Sequence, residues 1–167
     1  MKSIIINDKT LIRFAGENDI PLILQFIKEL AEYEKMADLV TATEEGLRKS
    51  IFDESHAEVV FCEYENVPAG FCLFFHNYST FLGKPGLYIE DLFVKEAARG
   101  KGLGKILLSF MARLAVERGC GRLEWWCLDW NKPSIDFYLA QGAEPMPDWT
   151  VYRVAGEGLK TLADKIP

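Results

Sequence analysis

The sequence places two groups of residues with possible chemistry next to each other, a carboxylate pair and a basic turn rich in glycine. Glu90 and Asp91 lie in an apolar run, and residues 99–104 follow this run closely. Glycine permits tight turns and lets a ligand approach the backbone, and a helix N-terminus presents N–H groups without an intrahelical partner. The pattern therefore predicts a site for an anion such as a phosphate, beside groups able to move a proton.

The glycine turn does not match the two common nucleotide-binding motifs. The four-residue gap before the Gly-Lys-Ser/Thr of a P-loop is missing, and the third glycine comes one residue early for a dinucleotide fingerprint. A chain of 167 residues also leaves no room for two mononucleotide-binding halves. Taken alone, the turn fits a helix N-terminus packed tightly on a sheet as well as it fits an anion site.

The carboxylate pair favours a functional interpretation because carboxylates are uncommon inside apolar strands. Solvation of an exposed strand is the alternative. Successive strand residues face opposite sides, so only one of Glu90 and Asp91 lines a site unless a bulge intervenes. The sequence leaves open which of the two it is.

Composition excludes several classes of function. The net charge of −6 argues against a nucleic-acid-binding surface, which would need a basic patch. No apolar stretch reaches membrane-spanning length, and no signal-peptide pattern is found. The four cysteines lack metal-type spacing and there are only two histidines, so we expect reduced thiols and no metal. The expectation is a cytoplasmic protein with a single domain over residues 1–167.

Hydrophobic periodicity predicts an α+β fold, or α/β sandwich, on a mixed sheet. Residues 59–64 and 70–76 are expected to form a hairpin with a loop rather than a tight turn. The other predicted strands cover residues 4–6, 11–14, 87–94, 122–128 and 149–154. The predicted helices begin at Asn18 or Asp19, at Thr43, at Leu103 and at Pro133, and they end near Tyr33, Ile51, Arg118 and Gln141.

Two segments of the chain resemble the GNAT N-acetyltransferases. Residues 99–104 are similar to the Arg/Gln-x-x-Gly-x-Gly/Ala signature of that family, and residues 131–143 are similar to its second acetyl-CoA segment. Residues 27–34, 87–94 and 128–134 further resemble the diamine acetyltransferases, a group that includes spermidine/spermine enzymes and thialysine-acetylating relatives. Phe81 departs from the pattern, since a tryptophan is expected there.

The resemblance implies a mixed, mostly antiparallel twisted sheet flanked by helices, and the transfer of an acetyl group from acetyl-CoA. The implied acceptor is the primary amine of a small molecule, either a polyamine or diamine or a thialysine-like amino acid. A protein or peptide N-acetyltransferase and a non-catalytic acyl-CoA-binding module are the alternatives. The resemblance also implies a homodimer in which the last strand, residues 149–154, packs across the interface.

Site residues follow from the same resemblance. Glu90 is implied as the general base, acting through water, and Tyr138 as the acid that protonates the leaving thiolate; a phenol is protonated at neutral pH. The implied cofactor-binding residues are Leu92, Phe93, Val94, Arg99, Gly100, Lys101, Gly102, Leu103, Gly104, Asn131 and Tyr138. The implied amine-binding residues are Glu90, Asp91, Tyr33, Glu34 and Trp130. For Asn131, a helix cap alone is the competing interpretation.

Overall fold

The computed structural model describes residues 3–166, and the chain divides into two compact units between Cys127 and Leu128. The prediction of one domain for residues 1–167 stays a prediction. The strands, all in the first unit, are β1 Ser3–Asn7, β2 Thr10–Phe14, β3 Glu58–Tyr64, β4 Val67–Ser79, β5 Lys84–Val94 and β6 Leu123–Trp125. Its helices are α1 Ile20–Tyr33, α2 Glu44–Leu47 and α3 Leu103–Glu117, and a π-helix over Arg48–Asp53 continues α2.

The six strands form one sheet in chain order, from β1 to β6. All neighbours are antiparallel except β5 and β6, which are parallel and joined through α3. A parallel pair requires a crossover of this kind, since a tight hairpin can connect only antiparallel strands. The predicted fold class, a mixed and mostly antiparallel sheet flanked by helices, is confirmed.

One face of the sheet carries α1 on an aromatic core. Phe26 lies 5.5 Å from Phe61, 5.1 Å from Phe71 and 6.4 Å from Phe93, measured between ring centroids. Ile23, Phe26 and Leu30 recur at helical spacing, so one stripe of α1 is buried here. This packing holds the C-terminal end of α1 beside β5, and Tyr33 contacts Phe93 at 6.3 Å.

The opposite face carries α3. A Cβ added to Gly70 on β4 would lie 3.1 Å from Cδ1 of Leu107, so glycine permits the close approach of the helix. Phe110 of α3 also packs edge-on against Phe14 at 6.1 Å. These contacts fix the direction in which α3 leaves the turn that follows β5.

Strand β5 contains a β-bulge at Glu90. The pairs Leu73–Asp91 and Phe74–Ile89 follow one another on β4, so Glu90 is an extra residue with no opposite number. A bulge shifts the alternation of faces by one residue and re-aims side chains. Regular alternation would place Glu90 and Asp91 on opposite faces of the sheet, and the bulge interrupts that alternation at Glu90.

The hairpin between β3 and β4 corrects the sequence-based expectation of a loop. Tyr64 pairs directly with Val67, and Glu65 and Asn66 have φ values of 51° and 65°. Two central residues with positive φ define a type I′ turn, which matches the twist of the flanking strands. The prediction was wrong because it took Pro68 as a loop residue. Pro68 instead lies on β4 at a register irregularity, where a missing N–H is tolerated.

The second unit contains α4 Lys132–Ala140 and α5 Glu157–Ala163. The predicted strand over residues 149–154 is wrong for this chain, because the described residues there form no strand and pair with none. Trp149 is 71% exposed and Tyr152 is 91% exposed. The segment has strand-forming residues, but its own unit offers no strand for it to pair with. The strand predicted over residues 122–128 is also shorter, at Leu123–Trp125.

No helix within residues 3–166 is long and apolar enough to cross a membrane.

Candidate active site

Strand β5 has an open edge on its β6 side. Pairing with β6 ends where Ile89 opposes Trp125, whereas pairing with β4 continues to Val94. Within the described residues, no strand covers the backbone of residues 90–94 on that side. The N–H and C=O groups that point away from β4 can therefore pair with an extended ligand, in the manner of an added strand.

The glycine turn leads from this edge into α3. Gly100 and Gly102 have φ values of 77° and 78°, a region that favours glycine. Gly102 is the N-cap of α3 and supplies no side-chain hydrogen bond to the helix. A Cβ built on either glycine would meet no protein atom within 4 Å. The space beside both glycines is therefore open, and the first N–H groups of a helix have no intrahelical partner, as an anion site requires.

Arg99 joins the turn to the end of α1. Its guanidinium lies 4.6 Å from the ring centroid of Tyr33 and 5.8 Å from that of Phe93. Its Nε donates a hydrogen bond to the carbonyl oxygen of Val94 at 3.2 Å. Lys101 lies over the ring of Tyr64 at 4.5 Å. The positive charges of Arg99 and Lys101 thus lie around the glycine turn, positioned by aromatic rings and a carbonyl oxygen. Within the described chain, neither forms a salt bridge to a carboxylate.

Three carboxylates meet near the start of the open edge. Glu34 caps the C-terminus of α1, Glu90 is the bulged residue, and Asp91 opposes Leu73. Leu73 lies two positions from Phe71, which faces α1, so Asp91 points toward the same face. No residue of the described chain forms an ion pair with these three side chains, which we call the acidic cluster. The arrangement is suited to a cation from outside the protein.

Two carboxylates of the acidic cluster, Asp91 and Glu34, have raised pKa values. Burial raises the pKa of Asp91 to about 7, and the charges of Glu90 and Glu34 contribute to that increase. Burial also raises the pKa of Glu34. A carboxyl group with a pKa near neutrality accepts and releases protons under ordinary conditions, and such shifts are concentrated at functional sites.

The buried thiols are unsuited to act as nucleophiles. Burial raises the pKa of Cys62 to about 11. Burial, with a contribution from the charge of Asp91, raises the pKa of Cys72 well above its usual value. Only the thiolate is nucleophilic, so both side chains are inert at neutral pH. No group of three or more His, Cys, Asp or Glu side chains within residues 3–166 is arranged to hold a metal ion.

The second unit carries the other predicted residues. Asn131 is buried and caps α4, since its Oδ1 accepts a hydrogen bond from the Ser134 N–H at 3.4 Å. This is the helix-cap role that the sequence left open for Asn131. Tyr138 is half-buried on α4, with its ring 5.2 Å from that of Phe137. Trp130, just before α4, is 51% exposed.

The structure brings together the predicted residues of the first unit. Tyr33, Glu34, Glu90 and Asp91 lie around the end of α1, and the glycine turn begins beside them through Arg99. The sequence did not reveal the bulge, the near-neutral pKa of Asp91 or the stacking of Arg99 on Tyr33. A double carboxylate in a strand is a signal for a bulge, but only the strand register proves one.

Comparisons with known proteins identify the family of this chain. Residues 23–143 match the model of the acetyltransferase (GNAT) family. The thialysine N-epsilon-acetyltransferase of Bos taurus is 38% identical over 169 residues, which cover 93% of this chain and 98% of that one. The L-ornithine N5-acetyltransferase of Arabidopsis thaliana is 33% identical over 201 residues, which cover 93% of this chain and 88% of that protein. An integron cassette protein from the mobile metagenome of V. cholerae has a similar solved structure, with a TM-score of 0.80, 26% identity and 95% and 100% covered.

The chain is therefore an acetyltransferase of the GNAT family, and the family predicted from its sequence is confirmed. Membership implies acetyl-CoA as the acyl donor.

Asp91 is expected to reduce the stability of the fold above neutral pH. The pKa of Asp91 in the folded state is about 7, above the ordinary value of 3.8 for an aspartate. The folded state therefore binds more protons than the unfolded state between these two pH values. Stability therefore falls as the pH rises through this window.

Asp91→Asn should be more stable than the wild type at pH 8.5, by on the order of 1–4 kcal/mol, with a smaller difference at pH 5. Urea unfolding at both pH values measures this difference in the free energy of unfolding. The matched control is Glu90→Gln, which is more exposed; an Asp91→Asn variant that is less stable at pH 8.5 contradicts the expectation.

Proposed function

We propose that this protein transfers an acetyl group from acetyl-CoA to the primary amine of a small molecule. The observation that carries the proposal is the acidic cluster without a cationic partner, beside an open strand edge and an uncapped helix N-terminus. Thialysine-like amino acids, ornithine and polyamines or diamines are the acceptors to test first, since relatives of this chain are named for such substrates. The family fixes the reaction class, and the acceptor is our inference.

The donor is proposed to lie along the open edge of β5. Its pyrophosphate would accept hydrogen bonds from the backbone of residues 99–104, where the dipole of α3 favours negative charge. Its pantetheine arm would pair with the backbone of residues 92–94, and an N–H there would stabilise the oxyanion that develops on the thioester carbonyl. Asn131 is a further candidate contact for the pantetheine arm.

The acceptor must lose a proton before it attacks the thioester. An alkylamine has a pKa near about 10.4 and arrives as an ammonium ion. We propose that the acidic cluster first holds this cation and then receives its proton, with Glu90 acting through water and Asp91 as the second candidate base. Because the carboxylates of Glu90 and Asp91 interact, the apparent pKa values in a pH–rate profile would describe the two groups together rather than one residue. Tyr33, Glu34 and Trp130 are proposed to contribute to amine binding.

The leaving thiolate of CoA needs a proton, and Tyr138 is the proposed donor. A phenol is protonated at neutral pH and can give up its proton as the thiolate forms. The high pKa values of Cys62 and Cys72 support direct attack by the amine rather than an acyl-cysteine intermediate. The nitrogen–carbon bond then forms as the carbon–sulfur bond breaks. The ammonium group gives one proton to the acidic cluster before the attack, Tyr138 gives its proton to the sulfur, and the second proton lost by the nitrogen restores the phenol.

Turnover of small amines tests the proposal. Wild-type protein with acetyl-CoA should release CoA in the presence of thialysine, ornithine or a diamine, followed with a thiol reagent. Tyr138→Phe should lower kcat by about 10²-fold or more while the Kd of acetyl-CoA changes little, because only the proton donor is lost. Phe137→Leu, a change on the neighbouring residue, is the control for packing. Full activity in Tyr138→Phe removes this residue from the mechanism, and acetylation of lysine peptides alone would favour the alternative acceptor class.

Binding of acetyl-CoA tests the glycine turn. Gly102→Val should raise the Kd of acetyl-CoA by about tenfold or more, because its Cβ enters the open space proposed for phosphate and its backbone is strained at positive φ. Gly83 is a matched control, with a φ of 62° and no protein atom within 4 Å of a built Cβ. Gly83→Val should lose similar stability and keep its affinity, as measured by calorimetry. Equal loss of affinity in both variants would contradict the assignment.

We further propose that the protein is a homodimer in which residues 149–154 contact the partner. Trp149, Val151, Tyr152 and Val154 are 49–91% exposed and have no strand partner within the described chain. Strand-forming apolar residues in this state favour an interface. In light scattering after size-exclusion chromatography, the wild type should have twice the 19.0 kDa mass of the chain.

The matched variants separate this segment from exposed aromatic residues in general. The double change Trp149→Asp and Tyr152→Asp should give the monomer mass, because charge is costly in an apolar interface. Phe81→Asp changes an aromatic side chain that is 94% exposed outside the segment and should leave the dimer intact. A wild-type monomer would overturn the proposal.

A further inference from the structure

Three aromatic rings form a row across the sheet near the acidic cluster. Phe75 on β4 lies 5.1 Å from Tyr88 on β5, and Tyr88 lies 5.8 Å from Trp126 in an edge-to-face contact. Tyr88 pairs with Phe75 on one side and with Glu124 of β6 on the other. Trp126 follows Glu124 by two residues and so continues on the same face. We call this row the aromatic wall.

The aromatic wall and Asp91 share one face of the sheet because of the bulge. Asp91 opposes Leu73, which lies two residues before Phe75 on β4. Residues two apart on a strand face the same side and are separated by about 7 Å. Without the extra residue at Glu90, Tyr88 and Asp91 would point to opposite faces. The wall therefore begins within the reach of a small molecule whose nitrogen is held by the acidic cluster.

The aromatic wall is not part of the core beneath α1. That core is built on Phe26, Phe61, Phe71 and Phe93, and it does not include the three rings of the wall. Trp126 is 57% exposed, and Phe75 and Tyr88 are half-buried. A row of partly exposed aromatic side chains next to the proposed amine site can accept the apolar body of a ligand.

Charges at the far end of the wall argue against a second ammonium group there. Glu124 is bound to Arg122, with 2.8 Å between its Oε2 and Arg122 Nε. The same oxygen accepts a hydrogen bond from Nδ2 of Asn77 at 2.8 Å. This carboxylate is therefore already neutralised, whereas the carboxylates of the acidic cluster are not. One end of the site suits a cation, and the rest suits an apolar group.

We propose that the aromatic wall binds the body of the acceptor and that Trp126 determines the preference for its substituent. The favoured acceptor class is a primary amine carrying an aromatic ring on a short carbon linker, ahead of linear aliphatic polyamines. This inference rests on the proposed acetyl transfer to small amines. The ammonium group lies at the acidic cluster, and the ring packs on Tyr88 and Trp126.

The test compares two acceptors, 2-phenylethylamine and 1,4-diaminobutane, at saturating acetyl-CoA. The wild type should have a kcat/KM for 2-phenylethylamine that is higher by about tenfold or more. Trp126→Ala should lower that value by about tenfold and change the value for the diamine less than about twofold. Trp126→Phe should retain most of the preference, because it keeps an aromatic face. Phe81→Ala, at an exposed aromatic outside the site, is the matched control and should behave as the wild type.

Structural damage is separated from loss of recognition by two further measurements. Thermal unfolding and the Kd of acetyl-CoA should be similar in the wild type and in Trp126→Leu, which keeps apolar volume without a ring. Equal losses for both acceptors in Trp126→Ala, or a wild-type preference for the diamine, would overturn the role of the wall and leave the proposed function standing. Acetyl-CoA binding without acetylation of any amine would overturn the proposed function, and this inference with it.

Discussion

The bulge at Glu90 is the constraint on which the candidate site depends. The extra residue shifts the alternation of β5 by one, so that Asp91 points toward α1 while Ile89 stays in the α3 core. The pairing of β5 with β6 ends at Ile89, immediately before the bulge. The bulge thus lies both within the acidic cluster and at the start of the open edge of β5. A regular strand would direct one of the two adjacent carboxylates toward the opposite face, which packs on α3.

The acidic cluster is held together by apolar packing rather than by its own charges. Three carboxylates repel one another, and burial adds to the cost by removing water from Asp91. The aromatic contacts of Phe26 fix α1 on the sheet, and with it the position of Glu34 at the helix end. Arg99 reinforces that end by stacking on Tyr33. The core therefore supplies the stability that the acidic cluster lowers, as is common at functional sites.

The sequence predicted what depends on local patterns and missed what depends on pairing between distant segments. The helix that starts at Leu103 and the strand ending at Val94 were identified from periodicity and glycine. The bulge at Glu90 and the tight turn at Glu65 and Asn66 depend on strand register, which single-sequence patterns do not fix. Residues 149–154 have strand propensity without a neighbour, and propensity alone does not make a strand. The predicted residues Tyr33, Glu34, Glu90 and Asp91 lie near one another in the fold, and their roles stay predictions. The raised pKa of Asp91 depends on burial, which only the fold provides.

If the proposed amine site is correct, protons and ammonium ions compete for the same carboxylates. Below the pKa of Asp91, a proton removes one of the charges proposed to attract the amine. Above it, Asp91 is charged and most alkylamines are still cations. In the proposed mechanism, the neutral amine needed for attack arises by proton transfer within the complex, from the ammonium ion to the acidic cluster. Partial burial of Asp91 narrows the gap between its pKa and that of the amine, and the fold sets that burial by placing α1 against the bulged strand.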